Sequence, residues 1–354
     1  MGKYTSIGGQ ALIEGIMMKS PQKTALSVRL PDGSIDTEML DQKSLRQKYK
    51  ILNIPIIRGV IGFVESMVQG YKAMMISAEK SGFTDLEDEP KDEKAPENEQ
   101  NTADITEETV VEIEEKPQET EKKDSALLNI VMVVGVVLGV ALSVVLFMYL
   151  PRLFVSGIEW LIKDELPKIA RSFIEQFLKL SVFVLYVWLV SRMKDIKRVF
   201  MYHGAEHKTI FCYEKGLELT VENVRQQKRF HPRCGTSFMI LMILISVILS
   251  TIVQIIFPQV YNLTWIWVGI KILLIPLTCG IGFEVLKFCG KFDNIVTRII
   301  SAPGLWLQRI TTVEPEDDMI EIAIAALKAC EPDTPDVDRS GCCANSQEND
   351  SEEN

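Results

Sequence analysis

The sequence predicts a mainly α-helical, polytopic membrane protein with about four transmembrane helices, an interfacial amphipathic helix and a small N-terminal β-hairpin element. Three observations carry this reading. Several apolar runs are long enough to cross a hydrocarbon core about 30 Å thick. Positive residues crowd into one connection between those runs, the asymmetry that sets membrane orientation. The acidic residues sit apart: 16 Asp and Glu against 3 Lys in residues 85–121, and 8 against 1 Arg in 331–354. Setting those two segments aside turns the formal charge from −10 to +10, which suits a body resting against anionic headgroups.

Four regions follow: 1–82, 83–124, 125–330 and 331–354. Within the first, residues 24–38 alternate apolar and polar around Pro31-Asp32-Gly33. Pro31 presets a turn and Gly33 accepts positive φ, so a hairpin is expected. The preceding GGQALIEGIMMKSP (8–21) has a glycine pair that fits a tight turn or a close backbone approach, without a clear helix or strand period. From Pro55 to about Lys80, apolar residues broken by Arg58, Glu65 and Lys72 fit a helix lying in the membrane interface better than a span. Residues 83–124 carry too little apolar surface to offset ordering entropy and are expected to be a disordered linker, as is the tail from 331.

The spans are expected at Ala126–Leu150, ended by Pro151; Phe173–Ser191; Gly235–Phe257; and Leu263–Phe283, the last kinked at Pro276 and holding Lys271. The connection 192–233 holds ten Lys and Arg, against four between the first two spans and none between the last two. It should therefore face the cytosol, with both termini. Topology accounts for that basic loop, so nucleic acid is not an expected partner; the lipid bilayer is. Seven cysteines lack disulfide-like spacing, which fits a reducing compartment, and Cys342 and Cys343 read as incidental thiols.

All three histidines of the chain, at 203, 207 and 231, lie in this one loop. His203 and His207 enclose Glu206 in the order HxxEH, the arrangement of inverted zincins. A spacing of four stacks both imidazoles on one helix face, close enough to grip a single divalent metal, with zinc favoured. Glu206, about a hundred degrees round the helix from His207, can serve as general base on water. Three randomly placed histidines would show some pair four apart only about 2 % of the time. Further ligands are sought where the chain returns to the same membrane face: His231 and Cys234 before the third span, and Glu284 at the end of the fourth, whose ordinary partner would be Lys287. A closed structural site using Cys212 with His203, His207, His231 and Cys234 is the rival, and a salt bridge from Glu206 to Lys208 or Arg198 would remove its catalytic meaning.

Residues 310–329 read as one helix with Pro315, Glu316, Asp317 and Asp318 in its first turn, suiting the helix dipole. Asp317, Asp318 and Glu321 could otherwise bind a second metal or a cationic group. Glu14 could reach the site or be a surface carboxylate.

Several stretches together resemble the YqhQ-like family of bacterial membrane proteins: GGQALIEGIMMKSP (8–21), Arg58-Gly59, YHGAEHKTIFCYE (202–214), HPRCGTSF (231–238) and PGLWLQRITTVEPEDDMIEIAIAAL (303–327). The resemblance implies a cytoplasmic-membrane location, a metal-dependent activity and candidate positions at His203, Glu206, His207, His231 and Cys234. The function expected is a metal-dependent membrane hydrolase acting on a lipid-like or membrane-peptide substrate. The alternative is a non-catalytic scaffold or assembly factor with a structural metal.

Overall fold

The computed structural model describes residues 7–41, 49–83, 134–135, 137–232, 234–261, 264–292 and 294–332. The expected acidic linker and tail lie almost wholly outside these residues, as do 126–133 and 136 of the first expected span. Contacts divide the chain into two units, residues 88–182 and residues 1–87 with 183–354.

In the first of these units, α2 (Val137–Ile162) is long and apolar enough to cross a membrane. The expected stop at Pro151 does not occur. A π-helical turn over Val145–Tyr149 precedes Pro151, and this wider turn takes up a residue without an N–H while the helix runs on to Ile162. Next comes α3 (Lys168–Val190), a second candidate span that continues into the other unit. The charges near its start are paired, Arg171 lying 3.1 Å from Glu159 and 3.6 Å from Glu175.

The larger unit opens with β1 (Gly8–Leu12), β2 (Gly15–Lys19), β3 (Thr24–Arg29) and β4 (Ile35–Leu40), an antiparallel meander in the order β1-β2-β3-β4. The β3–β4 turn is the expected one, with Gly33 at φ 85°. The segment 8–21 is a second hairpin, paired from Gly8↔Lys19 to Leu12↔Gly15. Strand alternation sends Ile16, Met18 and Ala25 to one face and Leu12, Met17, Leu26 and Val28 to the other. The second face is covered by Ala73 of α1 (Ile57–Lys80).

The first face packs on α4 (Lys194–Glu214) and on the C-terminal helix, contributing to a core with Tyr202, Tyr213, Met319, Ile320 and Leu327. The sheet is thus the middle of three layers, and burying Leu, Ile and Met side chains there stabilises by roughly 1.5–3 kcal/mol each before ordering entropy. A short α5 (Val221–Arg225) leads to α6 (Gly235–Ile256), a one-turn α7 (Pro258–Tyr261) and α8 (Thr264–Lys291). Helices α6 and α8 complete four candidate spans among the described residues, and Lys271 of α8 sits over the Trp267 ring at 5.3 Å.

The helix expected within 310–329 does carry Asp317 and Asp318 in its first turn, but residues 310–311 belong to a separate, earlier helix. α9 (Ile295–Thr311), opened by an Asn294–Thr297 capping box, stops at Thr311, and α10 (Asp317–Cys330) begins after an extended strap. The strap is held because the Val313 amide donates to the Phe200 carbonyl of α4 at 2.9 Å, and Pro315 cannot continue a helix. The acids of α10 face arginines: Arg225 donates to Asp317, and Arg29 lies 3.9 Å from the Asp318 carboxylate and 3.7 Å from that of Glu321. Each of Asp317, Asp318 and Glu321 thus has a cationic side chain of this chain beside it.

Candidate metal centre

Helix α4 is buried on every side from Tyr202 to Ile210. Polar side chains in such a helix need partners. Thr209 returns its hydroxyl to the Ala205 carbonyl at 2.8 Å, and the Lys208 ammonium donates to the Arg225 carbonyl at 2.8 Å and to Glu314. At Gly204 the strap crosses the helix so closely that a Cβ would strike the Val313 carbonyl, which explains a glycine between the histidines.

The two imidazoles stack edge to face, ring centres 4.4 Å apart. Each is oriented from behind. His203 Nδ1 donates to the Thr311 carbonyl at the end of α9 (2.9 Å), and His207 Nδ1 donates to the Arg229 carbonyl (2.6 Å). Because a carbonyl only accepts, both Nδ1 atoms carry hydrogen, and Nε2 is the atom each ring presents to a ligand position. His203 Nε2 lies 3.1 Å from Cys234 Sγ. Cys234 is the N-cap of α6, its sulfur accepting the Thr236 amide at 3.4 Å. One ligand atom from each of His203, His207 and Cys234 lies within 4.8 Å of the others, all three residues are buried, and the group can hold a metal ion. The backing of a ligand imidazole by a carbonyl at its other nitrogen is the usual device that fixes tautomer and ring angle in metal sites.

Electrostatics match the geometry. Burial works to raise the Cys234 pKa, but His203 and His207 outweigh it and hold the thiol well below its usual range. Burial works to lower His203, yet Cys234 and Glu206 raise it to about 9. The two shifts favour the thiolate and the imidazolium over the neutral pair, and the thiolate is the form of sulfur that coordinates a metal.

Glu206 adjoins the cluster, 5 % exposed. It lies under the N-terminal hairpin: the Gly9 amide hydrogen-bonds its carboxylate, and a Cβ at residue 9 would come within 2.8 Å of its Cδ. Burial raises its pKa, with His203 and His207 opposing. Neither salt bridge weighed from the sequence involves it, since Lys208 is paired with Glu314 and Arg198 with Glu14.

Two sequence candidates stand elsewhere. His231 is buried beside the cluster, its ring 5.7 Å from that of His207, with Nε2 3.4 Å from Glu214. Gln308 holds its backbone, accepting the His231 amide at 2.8 Å and donating to the His231 carbonyl at 2.7 Å. Glu284 is engaged by Arg58 of α1 in a bidentate pair at 2.6 and 2.5 Å, rather than by Lys287. Cys212, invoked for a closed four-ligand site, donates to the Glu218 carbonyl at 3.4 Å within the α4–α10 core.

Sequence reasoning left the role of Glu14 open. It accepts two bonds from Arg198, one of them at 2.7 Å, and one from the Tyr202 hydroxyl at 3.0 Å, clamping the β1–β2 turn to α4 one turn before His203. Its φ of 50° at a two-residue turn was foreshadowed only by Gly15 directly after it. The carbonyls of Thr311 and Arg229 had no signal in the sequence, because any residue type supplies one.

The family described as "Protein of unknown function (DUF1385)" matches residues 54–333. "Uncharacterized protein YqhQ" of Bacillus subtilis (strain 168) is 34% identical over 319 residues, covering 90% of this chain and 89% of that protein. No solved structure matches. With its membrane-length helices and its buried His203, Glu206 and His207 inside the matched region, the chain belongs to the DUF1385 family of proteins of unknown function.

Proposed function

We propose that this protein is a metal-dependent hydrolase working at the cytosolic face of a bacterial membrane, with His203, His207 and Cys234 holding one divalent ion and Glu206 acting as general base. The observation that carries it is convergence: two imidazoles pinned at Nδ1 by backbone carbonyls present Nε2 towards one depressed-pKa thiol. Two imidazoles and a thiolate suit zinc, and three protein ligands leave the open position that separates catalytic from structural sites. Such an ion supplies Lewis-acid polarisation of a substrate carbonyl and makes water acidic near neutral pH.

The chain's own residues supply the rest. Glu206, its pKa raised by burial, is suited to take a proton from water near neutral pH and to return it to a leaving group. The Thr311 and Arg229 carbonyls keep both rings aimed. His231 with Glu214 stands behind the cluster rather than within it. The cytosolic assignment rests on the ten Lys and Arg of residues 192–233.

A second reading, a scaffold whose metal is structural, is favoured by the depth of the three donors, all 9 % exposed or less. Two measurements decide. Elemental analysis of detergent-purified protein should find about one metal per chain in wild type and none in the His203→Ala, His207→Ala double variant; equal content in both removes the metal. Glu206→Gln should keep metal and fold while abolishing the cellular phenotype of the wild-type protein, and a fully functional Glu206→Gln leaves the scaffold.

A further inference from the structure

Three supports of the candidate metal centre come from one short stretch of chain. Gln308, Thr311 and Glu314 stand three residues apart where α9 ends and the extended strap begins. Each is tied to a different ligand.

Gln308, with no exposed surface, serves Cys234. Its Oε1 accepts the His231 amide at 2.8 Å, and its Nε2 donates to the His231 carbonyl at 2.7 Å and to the Ser237 hydroxyl at 2.9 Å. The side chain thus grips the backbone three residues before Cys234 and the hydroxyl three residues after it. While all three bonds hold, the turn between them cannot drift from His203. The grip depends on close packing of α9 against α6. Gly304, one turn before Gln308 on the same helix face, lies so near that a Cβ there would come within 2.6 Å of Ser237.

Thr311 serves His203. Helix ends leave their last carbonyls without an intrahelical partner, and α9 closes when the Thr312 amide bonds back to the Gln308 carbonyl at 2.9 Å. The Thr311 carbonyl beyond it takes the Nδ1–H of His203 instead, at the negative end of the helix, where a donor is favoured. Glu314 serves His207 from both sides. It accepts from Lys208, the residue after His207, and at 3.3 Å from Arg229, whose carbonyl receives the His207 ring. The Lys208 bond carries more of this than the Arg229 one, because Lys208 is 3 % exposed and exposed ion pairs contribute little.

From this we infer that residues 308–314 set the separation of all three ligands, with Gln308 and Glu314 as positioning residues. The inference rests on the metal reading of His203, His207 and Cys234 and extends it to what holds them in register. Gln308 makes three buried bonds and Glu314 only partly exposed ones, so Cys234 is the ligand that depends most on this segment.

The test uses the full-length protein in detergent, loaded with cobalt. The thiolate-to-metal charge-transfer band reports Cys234, and a chelator competition reports affinity. Gln308→Met keeps the side-chain length and removes every hydrogen bond, so it should lose the thiolate band and weaken cobalt binding about 10–100-fold, the usual cost of removing a ligand's support. Glu314→Gln should keep the thiolate band and weaken binding by about tenfold, at the low end of that range. Ile320→Val thins the α4–α10 core and makes none of these contacts; it should lower the melting temperature and leave band and affinity as in wild type. Wild-type band and affinity in Gln308→Met overturn the inference, as does an Ile320→Val protein that loses both along with its melting temperature. Wild-type affinity in Glu314→Gln removes Glu314 from the set. If Gln308→Met does not fold, Ser237→Ala, which deletes one of the three bonds, decides: a weakened thiolate band upholds the inference and an unchanged one overturns it. Wild-type protein that takes up no cobalt overturns the metal reading, and the role of 308–314 falls with it.

Discussion

His203 and Cys234, thirty-one residues apart in the chain, face each other at 3.1 Å, imidazole Nε2 to sulfur, at the point where α4 meets the N-terminus of α6. Each shifts the other towards its charged form, and the consequence is a pH dependence of metal binding. His203 is raised to about 9, so below that pH an incoming ion must displace the proton on Nε2. Apparent affinity should therefore climb by about tenfold per pH unit from neutrality and level off above about pH 9. A chelator competition across that range reads it directly, and a flat profile sinks the protonation assignment. Linkage in the metal-free fold has two opposing parts. The raised His203 contributes stability lost as pH rises through about 9, and the lowered Cys234 contributes stability present above its unfolded value and lost as pH falls through its folded one. Between about pH 6.5 and 8.5 the two cancel, and the apo stability should stay level.

The pairing of Arg58 with Glu284 predicts that Glu284 is not a ligand. Glu284→Gln should retain the full metal content while loosening the contact of α1 with α8, lowering stability by about 1–3 kcal/mol. His231→Ala should likewise keep its metal, since the ring is turned to Glu214. Loss of metal in either variant, measured by elemental analysis on folded protein, would redraw the coordination sphere.

Gly204→Ala pushes a methyl group into the Val313 carbonyl. Overpacking of this kind costs about 1–3 kcal/mol. Because the displaced strap follows directly on Thr311, whose carbonyl orients His203, the same variant should also weaken metal binding. Thermal unfolding with and without a chelator separates the two effects, and a Gly204→Ala protein of wild-type stability contradicts the strap.

Glu14→Ala frees the β1–β2 turn from Arg198 and deprives the buried Tyr202 hydroxyl of its acceptor. A loss of about 1–3 kcal/mol is expected. Glu14→Gln, which keeps an acceptor for Tyr202 but surrenders the ion pair, should lose less. Equal losses in both would mean that the tyrosine bond contributes nothing.

Much of this architecture was legible in the residues. The apolar runs of α3, α6 and α8 exceed the length a soluble helix needs, and the His203–Glu206–His207 spacing marks one helix face regardless of what surrounds it. The hairpin at 8–21 was not legible, since β2 is buried on both faces and Gly15-Ile16-Met17-Met18 shows no alternation. Nor was it legible that Cys234 lies with the two histidines while Glu284 does not. Both precede or end a span on the expected face, and what separates them is Arg58, two hundred and twenty-six residues before Glu284 in sequence and 2.6 Å from it in space. The break between α9 and α10 escaped for a related reason: the Val313 amide leaves the helix for the Phe200 carbonyl of α4, which only the folded chain brings near.

The strap at Val313 also bears on how the imidazoles are aimed over time. An α-helix turned by a single residue about its own axis swings every side chain through about a hundred degrees, enough to point both rings at bulk protein. Val313 grips Phe200 on one flank of α4 and Glu14 grips Arg198 and Tyr202 on another, so the helix is braced against rolling by segments drawn from opposite ends of the chain. Cleaving the backbone on either side of that brace should scatter the cluster well before the surrounding bundle comes apart.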